Sequence, residues 1–338
     1  MKTVFLGSPP FALEPFRALL QSGHPPAALI TAPPRRSGRG RKTAQNPLVK
    51  LAEAHGLPIL QPVSAKDEAF LQAWRDLEPD LGVVVAYGQI LSPQFLAVPT
   101  WGCINLHASL LPRWRGASPI QAALISGDSQ TGVCLQKVVP ALDAGAVLAS
   151  ASLSLAQGPA DSPEQAWTSP RLASALAEMG ASLLVDFLEK TQDGPLPAGQ
   201  EQDPEQVTLC RRLRKEDGWL HWGRSSEEVD RQVRALLGWP DAQTALPDGT
   251  ALKILEGKPC FGEHAAAPGE VLSTQAGLEI ACGGGSYQVF RLQRAGKAPM
   301  DAEAFLRGHS LPPGSRLQSP GEAQITFLSP SNKKIWKA

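Results

Sequence analysis

The first half of the chain alternates short apolar runs with segments in which apolar residues recur at helical spacing. Four runs are typical of buried strands, namely residues 4–6, 27–30, 81–86 and 102–106. Helical spacing is found over residues 11–21, 47–55, 67–77 and 173–188. This order of elements predicts an α/β domain with a Rossmann-like parallel sheet and helices on both faces.

The pattern changes in the second half of the chain. Residues 192–204 are rich in Gly, Pro, Gln and Asp and lack apolar periodicity, so they are predicted to form a linker. One amphipathic helix is predicted over residues 226–237. Short strands between turn residues are predicted at 251–255, 269–273, 278–281 and 287–292. Such strands, separated by Gly and Pro, indicate a small β-barrel.

We therefore predict an α/β domain over residues 1–190, a linker over 191–206 and a barrel domain over 207–338. A chain of 338 residues is long for one domain and sufficient for two. Because the net charge is zero, any binding of nucleic acid has to come from local basic patches.

Composition narrows the possible classes further. The five cysteines form no C-x-x-C pair, which argues against a zinc site and against a disulfide framework. No apolar run approaches the length of a membrane span. We therefore expect a cytoplasmic protein that binds neither a membrane nor a metal ion, and no obligate protein partner is evident.

Polar residues of catalytic character follow the predicted strand 102–106. Asn105 and His107 are two positions apart, so in an extended chain they point to the same side. Ligands of parallel sheets bind beyond the carboxyl ends of the strands, where these residues lie. Asp143 follows the apolar segment 133–139 at a predicted turn and could orient the histidine. An oxyanion donor beside a proton carrier is what acyl transfer to an amine requires.

The loop after the first predicted strand reads Gly7-Ser8-Pro9-Pro10. A dinucleotide-binding fold would have G-x-G-x-x-G at this place. A nicotinamide cofactor is therefore not expected.

The motif Asn105-x-His107-x-Ser109-Leu110-Leu111-Pro112, with Leu142-Asp143-x-Gly145 downstream, resembles the folate-dependent formyltransferases. The resemblance extends over almost the whole chain, including residues 4–9, 83–91, 239–240 and 295–297. It implies an OB-like fold for the C-terminal barrel, which would bind tRNA. It also implies transfer of the formyl group of 10-formyltetrahydrofolate to the amino group of methionyl initiator tRNA, as translation initiation requires.

The resemblance implies a role for individual residues. The catalytic residues would be Asn105, His107 and Asp143. The residues that would contact folate are Tyr87, Gly88, Gln89, Ile90, Ser109, Leu110, Leu111, Pro112 and Leu142. In the mechanism that we expect, Asn105 and protonated His107 stabilise the oxyanion, and Asp143 holds His107 or relays a proton through water.

Two groups of cations are predicted to contact tRNA phosphates. The first, the cationic loop, consists of Arg35, Arg36, Arg39, Arg41 and Lys42 around two glycines. The second, the cationic segment, consists of Arg211, Arg212, Arg214 and Lys215. Arginine forks match phosphate geometry, but both groups are also compatible with an ordinary solvated surface.

Three alternatives remain open at this stage. A glycinamide ribonucleotide formyltransferase would share the Asn-His-Asp set but would lack a second domain. A sugar-nucleotide formyltransferase would have a related second domain but less reason for the cationic loop. An RNA-binding module with an inactive core is the third alternative, and the intact set of Asn105, His107 and Asp143 argues against it.

Overall fold

A computed structural model describes residues 1–34, 46–156, 166–191, 194–275, 277–318 and 327–329. The chain divides into two compact units. The first unit comprises Met1–Gly116, Thr131–Leu153 and Ala173–Thr208. The second unit comprises Ala117–Gln130, Ser154–Leu172 and Leu209–Ala338. The domain boundaries at residues 190 and 206 stay a prediction.

The first unit is built on a seven-stranded sheet of order β3-β2-β1-β4-β5-β7-β8. Its strands are β1 (Thr3–Gly7), β2 (Leu29–Ile30), β3 (Ile59–Leu60), β4 (Leu81–Val85), β5 (Cys103–His107), β7 (Gln130–Lys137) and β8 (Val147–Ser154), and the short β6 (Arg115–Gly116) lies outside this sheet. Strands β3, β2, β1, β4 and β5 are parallel, whereas β7 runs antiparallel to β5. The carboxyl ends of the parallel strands therefore meet at one edge, where His107 ends β5.

Three of the helices that accompany these strands begin at side chains that cap them. The helices are α1 (Leu13–Gln21), α2 (Pro47–Ala54), α3 (Glu68–Asp76), α4 (Pro93–Leu96) and α6 (Ser169–Lys190). Asn46 accepts a hydrogen bond from the backbone N–H of Leu48, and Asp67 accepts one from Phe70. Apolar residues of α3, including the fully buried Trp74, pack with β1 and β4 in the core of this unit.

The second unit contains an antiparallel, curled sheet of order β10-β11-β14-β13-β12, with β15 paired to β14. Its strands are β9 (Leu209–Cys210), β10 (Ala242–Ala245), β11 (Ala251–Cys260), β12 (Val271–Ser273), β13 (Leu278–Ala281), β14 (Ser286–Arg294), β15 (Met300–Asp301) and β16 (Leu328–Ser329). Its helices are α5 (Pro119–Ser126), α7 (Ser226–Leu236) and α8 (Ala302–Gly308). Short 3-10 helices span Pro204–Gln206 in the first unit and Lys215–Gly218 in the second.

The predicted fold class is confirmed in both units. The parallel sheet is present, and the curled antiparallel sheet is consistent with the predicted barrel-like domain. Helix α7 begins at the predicted residue, where its capping box of Ser225 and Glu228 fixes its start, and it ends one residue before the predicted bound. None of the helices in the described ranges is long and apolar enough to cross a membrane.

Candidate active site

Strand β5 presents Asn105 and His107 on one face of the seven-stranded sheet. Ile104 and Leu106 alternate with them, point to the opposite face and are buried. Strand pairing places Asn105 beside Gln136 of β7. Residues paired across neighbouring strands share a face, so Gln136 adds a third polar side chain to this surface.

The two ring nitrogens of His107 have different partners. Nε2 lies 3.0 Å from the carbonyl oxygen of Trp114, and because a carbonyl only accepts, Nε2 donates its hydrogen there. Nδ1 lies 3.8 Å from Oδ2 of Asp143, which is too far for a direct hydrogen bond but close enough for a charge interaction. A proton taken up at Nδ1 therefore faces a carboxylate.

The loop after β5 fixes the carbonyl that His107 uses. The backbone N–H of Trp114 donates to Oγ1 of Thr208 at 2.8 Å, and that of Arg115 donates to the carbonyl of Thr208 at 2.9 Å. The hydroxyl of Ser109 donates to the carbonyl of Arg113 at 2.6 Å. Together these bonds hold Trp114 at a φ of 60°, which is uncommon for a bulky residue.

Two donors hold the carboxylate of Asp143. Nε2 of Gln136 donates to Oδ1 at 3.1 Å, and the backbone N–H of Gly116 donates to Oδ2 at 2.9 Å. The backbone of Asp143 has a φ of 47°, in the left-handed region that L residues seldom adopt. At Gly145, a Cβ would lie 1.9 Å from the carbonyl oxygen of Lys137, so only glycine fits the motif at this position.

Arg115 places a positive charge near Asp143. Burial lowers the pKa of Arg115 from its ordinary value, while the charge of Asp143 opposes that shift. The guanidinium of an arginine stays protonated at neutral pH. The site around Asp143 therefore contains a permanent cation as well as the histidine.

Asn105 differs from its neighbours because its carboxamide hydrogen bonds to no residue in the described part of the chain. The residue is only half-buried. Its N–H groups are consequently available to a bound carbonyl or oxyanion.

The buried thiols next to the site are not suited to nucleophilic attack. Cys134, which pairs with His107 across β5 and β7, has its pKa raised to about 11 by burial. Burial likewise raises the pKa of Cys103 to about 12. Both thiols remain protonated at neutral pH. No cluster of three or more potential metal ligands occurs among the residues that the structure describes.

The predicted folate-contacting residues fall into two groups, of which the first supports the fold. Tyr87 is buried in the apolar core, which raises its pKa to about 12, and its hydroxyl has no partner among the described residues. Oε1 of Gln89 accepts a hydrogen bond from the backbone N–H of Ala65 at 2.7 Å. These two side chains hold the loop after β4 in place through contacts inside the protein.

The second group is accessible to a ligand. Ile90 is 81% exposed and Leu142 is 55% exposed, on the loops after β4 and β7 respectively. Gly88 is exposed at a φ of 78°, and Leu110, Leu111 and Pro112 are half-buried. The assignment of the whole set to folate stays a prediction.

The predicted tRNA contacts are placed unequally. Arg35, Arg36, Arg39, Arg41 and Lys42 of the cationic loop lie outside the described residues. Within the cationic segment, Arg212, Arg214 and Lys215 are exposed.

Arg211 is different from the rest of the cationic segment. It is 6% exposed, and its guanidinium donates to both carboxylate oxygens of Asp217, at 2.9 and 2.6 Å. A guanidinium occupied in this way is not presented to a phosphate.

Three residues around the site were not predicted from the sequence. Gln136 and Lys137 are the polar positions in the otherwise apolar segment 133–139, and of these Gln136 is buried, so its amide needs a buried partner. Thr208 and Gln202 reach the site from far along the chain. No local pattern marks them, since each acts through a contact with a distant loop.

The match to family models covers both halves of the chain. The family described as "Formyl transferase" matches residues 1–173, and "Formyl transferase, C-terminal domain" matches residues 212–310. The chain therefore belongs to the formyl transferase family, which confirms the resemblance drawn from the motifs around His107 and Asp143.

Curated relatives are similar along nearly their full length. The chain is 43% identical over 317 residues to the methionyl-tRNA formyltransferase of Methylococcus capsulatus, covering 94% of this chain and 99% of the relative. It is 42% identical over 317 residues to that of Paramagnetospirillum magneticum, covering 94% of this chain and 100% of the relative. Both of these relatives carry the same name.

Solved structures share the fold at low sequence identity. An N-formyltransferase from Helicobacter canadensis, in complex with folinic acid and dTDP-3-aminofucose, has a TM-score of 0.62 and 13% identity, covering 87% of this chain and 99% of that one. HypX from Aquifex aeolicus, in complex with tetrahydrofolic acid, has a TM-score of 0.57 and 15% identity, covering 90% of this chain and 47% of that one. These similarities concern the fold alone.

Proposed function

We propose that this protein transfers the formyl group of 10-formyltetrahydrofolate to the amino group of methionyl initiator tRNA. The observation that carries the proposal is the His107–Asp143 pair beside Asn105, in a chain 43% identical to a methionyl-tRNA formyltransferase over 317 residues. The proposal includes a cytoplasmic location, because the tRNA that it names as acceptor is used in translation initiation.

The reaction needs stabilisation of a negative charge on the formyl oxygen and transfer of a proton from the amine to the leaving nitrogen. The amine attacks the formyl carbon, and the electron pair of the carbonyl moves onto oxygen. The unbonded carboxamide of Asn105 supplies a donor for that oxyanion. The tetrahedral intermediate then releases the folate nitrogen, which leaves with a proton that the amine has lost.

His107 is the group suited to move that proton. Since Nε2 donates to Trp114, the exchangeable position is Nδ1, which faces Asp143 at 3.8 Å. The carboxylate stabilises the imidazolium while the proton is held. No covalent intermediate on the protein is needed, because the amine attacks the formyl carbon directly. The neighbouring thiol of Cys134 is not suited to intervene, because burial raises its pKa to about 11.

A folate ring requires an apolar surface, and the first unit offers one. Val63, Ile90, Val139 and Leu142 are exposed large apolar side chains, all on loops of this unit. The loops are joined to one another, since Gln89 bonds to residue 65 and Val138 packs with the core cluster that contains Tyr87. Exposed apolar residues concentrated on adjoining loops support binding of a planar ring.

The tRNA partner is supported by the exposed part of the cationic segment. We retain Arg212, Arg214 and Lys215 as phosphate contacts and omit Arg211, which is bonded to Asp217. The cationic loop remains part of the proposal on its sequence alone. Neutralising Arg39, Arg41 and Lys42 should raise the requirement for tRNA and leave formylfolate binding intact.

The test is a comparison of acceptors. Purified protein is incubated with 10-formyltetrahydrofolate and either methionyl initiator tRNA, glycinamide ribonucleotide or an amino-sugar nucleotide. The proposal expects formylation of the charged tRNA in large excess over the other amines. Faster formylation of another amine would overturn the assignment of the acceptor, and RNA binding without any formyl transfer would indicate an inactive core.

A further inference from the structure

We propose that Gln202 is a positioning residue for formyl transfer, because it fixes the loop that presents Asp143 to His107. It belongs to the segment that the sequence predicted to be a linker. The inference rests on the proposed function for its kinetic test. Gln202 itself does not contact the reacting atoms and acts through the loop of residues 138–146.

The side-chain amide of Gln202 is fully engaged with this loop and its surroundings. Nε2 donates to the carbonyl of Gly145 at 2.7 Å and to that of Asp143 at 2.9 Å, with a longer contact of 3.3 Å to Oε1 of Gln136. Oε1 accepts from Nε of Arg115 at 2.9 Å. Since Nε of arginine only donates, this bond also fixes which end of the amide faces the loop.

The backbone next to Gln202 brings it to this position. The N–H of Gln200 donates to the carbonyl of Val147 at 2.8 Å, and the N–H of Val147 donates to the carbonyl of Gln200 at 2.8 Å. Gly199 allows the approach, with a φ of 80° and a Cβ position only 3.0 Å from the carbonyl oxygen of Val147. The segment is thereby attached to the start of β8, directly after the loop.

This attachment matters because the Asp143 backbone is strained. A non-glycine residue in the left-handed region persists only when its surroundings hold it there. Gln202 binds the carbonyl groups of Asp143 and Gly145, while Gln136 and Gly116 hold the carboxylate. Loss of the Gln202 amide would leave the backbone carbonyl groups of Asp143 and Gly145 without these hydrogen bonds, so the loop would no longer be held in place.

The chemistry of the contacts requires an uncharged amide. A glutamate at this position would keep the acceptor for Arg115 but would face two carbonyl oxygens with no hydrogen to donate. Gln202→Glu therefore removes the hydrogen bonds to the loop while preserving the size of the side chain. Gln202→Ala removes both the donor to the loop and the acceptor for Arg115. Gln200→Ala is the matched control, because the Gln200 side chain is exposed and only its backbone is hydrogen-bonded to Val147.

Single-turnover and steady-state formylation of the three variants test the proposal. Gln202→Ala and Gln202→Glu should lower kcat about ten- to hundredfold, as expected for a displaced catalytic group, with KM for the tRNA nearly unchanged. Gln200→Ala should match the wild type. In an Asp143→Asn background, Gln202→Ala should cause little further loss, because both changes act on the same group.

A second measurement does not depend on the substrate. The N–H of Gly116 is protected by the carboxylate of Asp143, so its hydrogen–deuterium exchange reports the position of that carboxylate. Exchange should be faster in both Gln202 variants and unchanged in Gln200→Ala. If the wild type formylates no amine, the proposed function fails, and this exchange still decides the positioning role. Unchanged Gly116 exchange with a wild-type kcat in Gln202→Glu would overturn the inference.

Discussion

The site around His107 and the cationic segment differ in how well the sequence predicts where their side chains point. At the site, Asn105 and His107 lie on the face that their spacing predicted, and Asp143 comes to His107 as expected. In the cationic segment, adjacent arginines separate: Arg211 is buried against Asp217, whereas Arg212 is exposed. A strand period fixes the direction of a side chain, whereas a charge run does not.

The same period explains the exception in the cationic segment. Leu213 is buried, and Arg211 lies two positions before it. In an extended stretch these two share a side, while Arg212 and Arg214 share the other. Alternation of apolar and polar positions, rather than the number of charges, was the signal that would have separated the buried arginine from the exposed ones.

The largest effect is expected from the histidine. Replacing His107 with alanine removes the group that carries the proton, so turnover should fall on the order of a hundredfold or more, with folate binding little changed. Single-turnover formylation measures the first and equilibrium binding of formylfolate the second. Near-normal turnover would remove His107 from the mechanism and leave the site without a proton carrier.

The buried arginine should affect folding instead of tRNA binding. Arg211→Ala leaves the carboxylate of Asp217, whose side chain is 3% exposed, without its charged partner and with the backbone N–H of Arg214 as a donor. Removing one member of a buried pair costs roughly 3–5 kcal/mol. Urea unfolding should show this loss for Arg211→Ala, and the exposed Arg212→Ala should unfold like the wild type. Equal stability of the two variants would show that the pair is dispensable.

A smaller and more diagnostic effect is expected at Asp143. Asp143→Asn removes the negative charge that faces Nδ1 of His107 at 3.8 Å. The imidazolium that holds the proton then faces no carboxylate, so the rate of formyl transfer should fall, by less than in His107→Ala, while folate binding is little changed. Single-turnover formylation measures this rate. A single-turnover rate equal to that of the wild type would remove the Asp143 charge from the mechanism.

The sequence was sufficient for the strands and for the chemical groups, and it failed for the contacts that orient them. Asn105, His107 and Asp143 follow apolar runs, so their places at strand ends are readable locally. Gln202 and Thr208 reach the site through hydrogen bonds to residues far away along the chain. Polar composition predicted a linker around Gln202, because periodicity detects burial of apolar faces and not a single buried amide.

The smallest effect is expected from the exposed cations, and it bears most directly on the contrast with Arg211. Arg212, Arg214 and Lys215 are exposed, so single alanine variants should fold normally. When a phosphate contact is lost, fewer counterions are released on binding. The magnitude of the slope of log affinity against log salt should therefore decrease by about 0.7–0.9 per residue. Formylfolate binding should not change, because no phosphate of tRNA takes part in it. Formylation kinetics at two salt concentrations measure the salt dependence of tRNA use and the requirement for formylfolate. Arg211→Ala, assayed at a temperature where it remains folded, is the comparison. If the exposed variants keep the wild-type salt slope, the segment is ordinary solvated surface, and recognition of tRNA has to lie elsewhere in the protein.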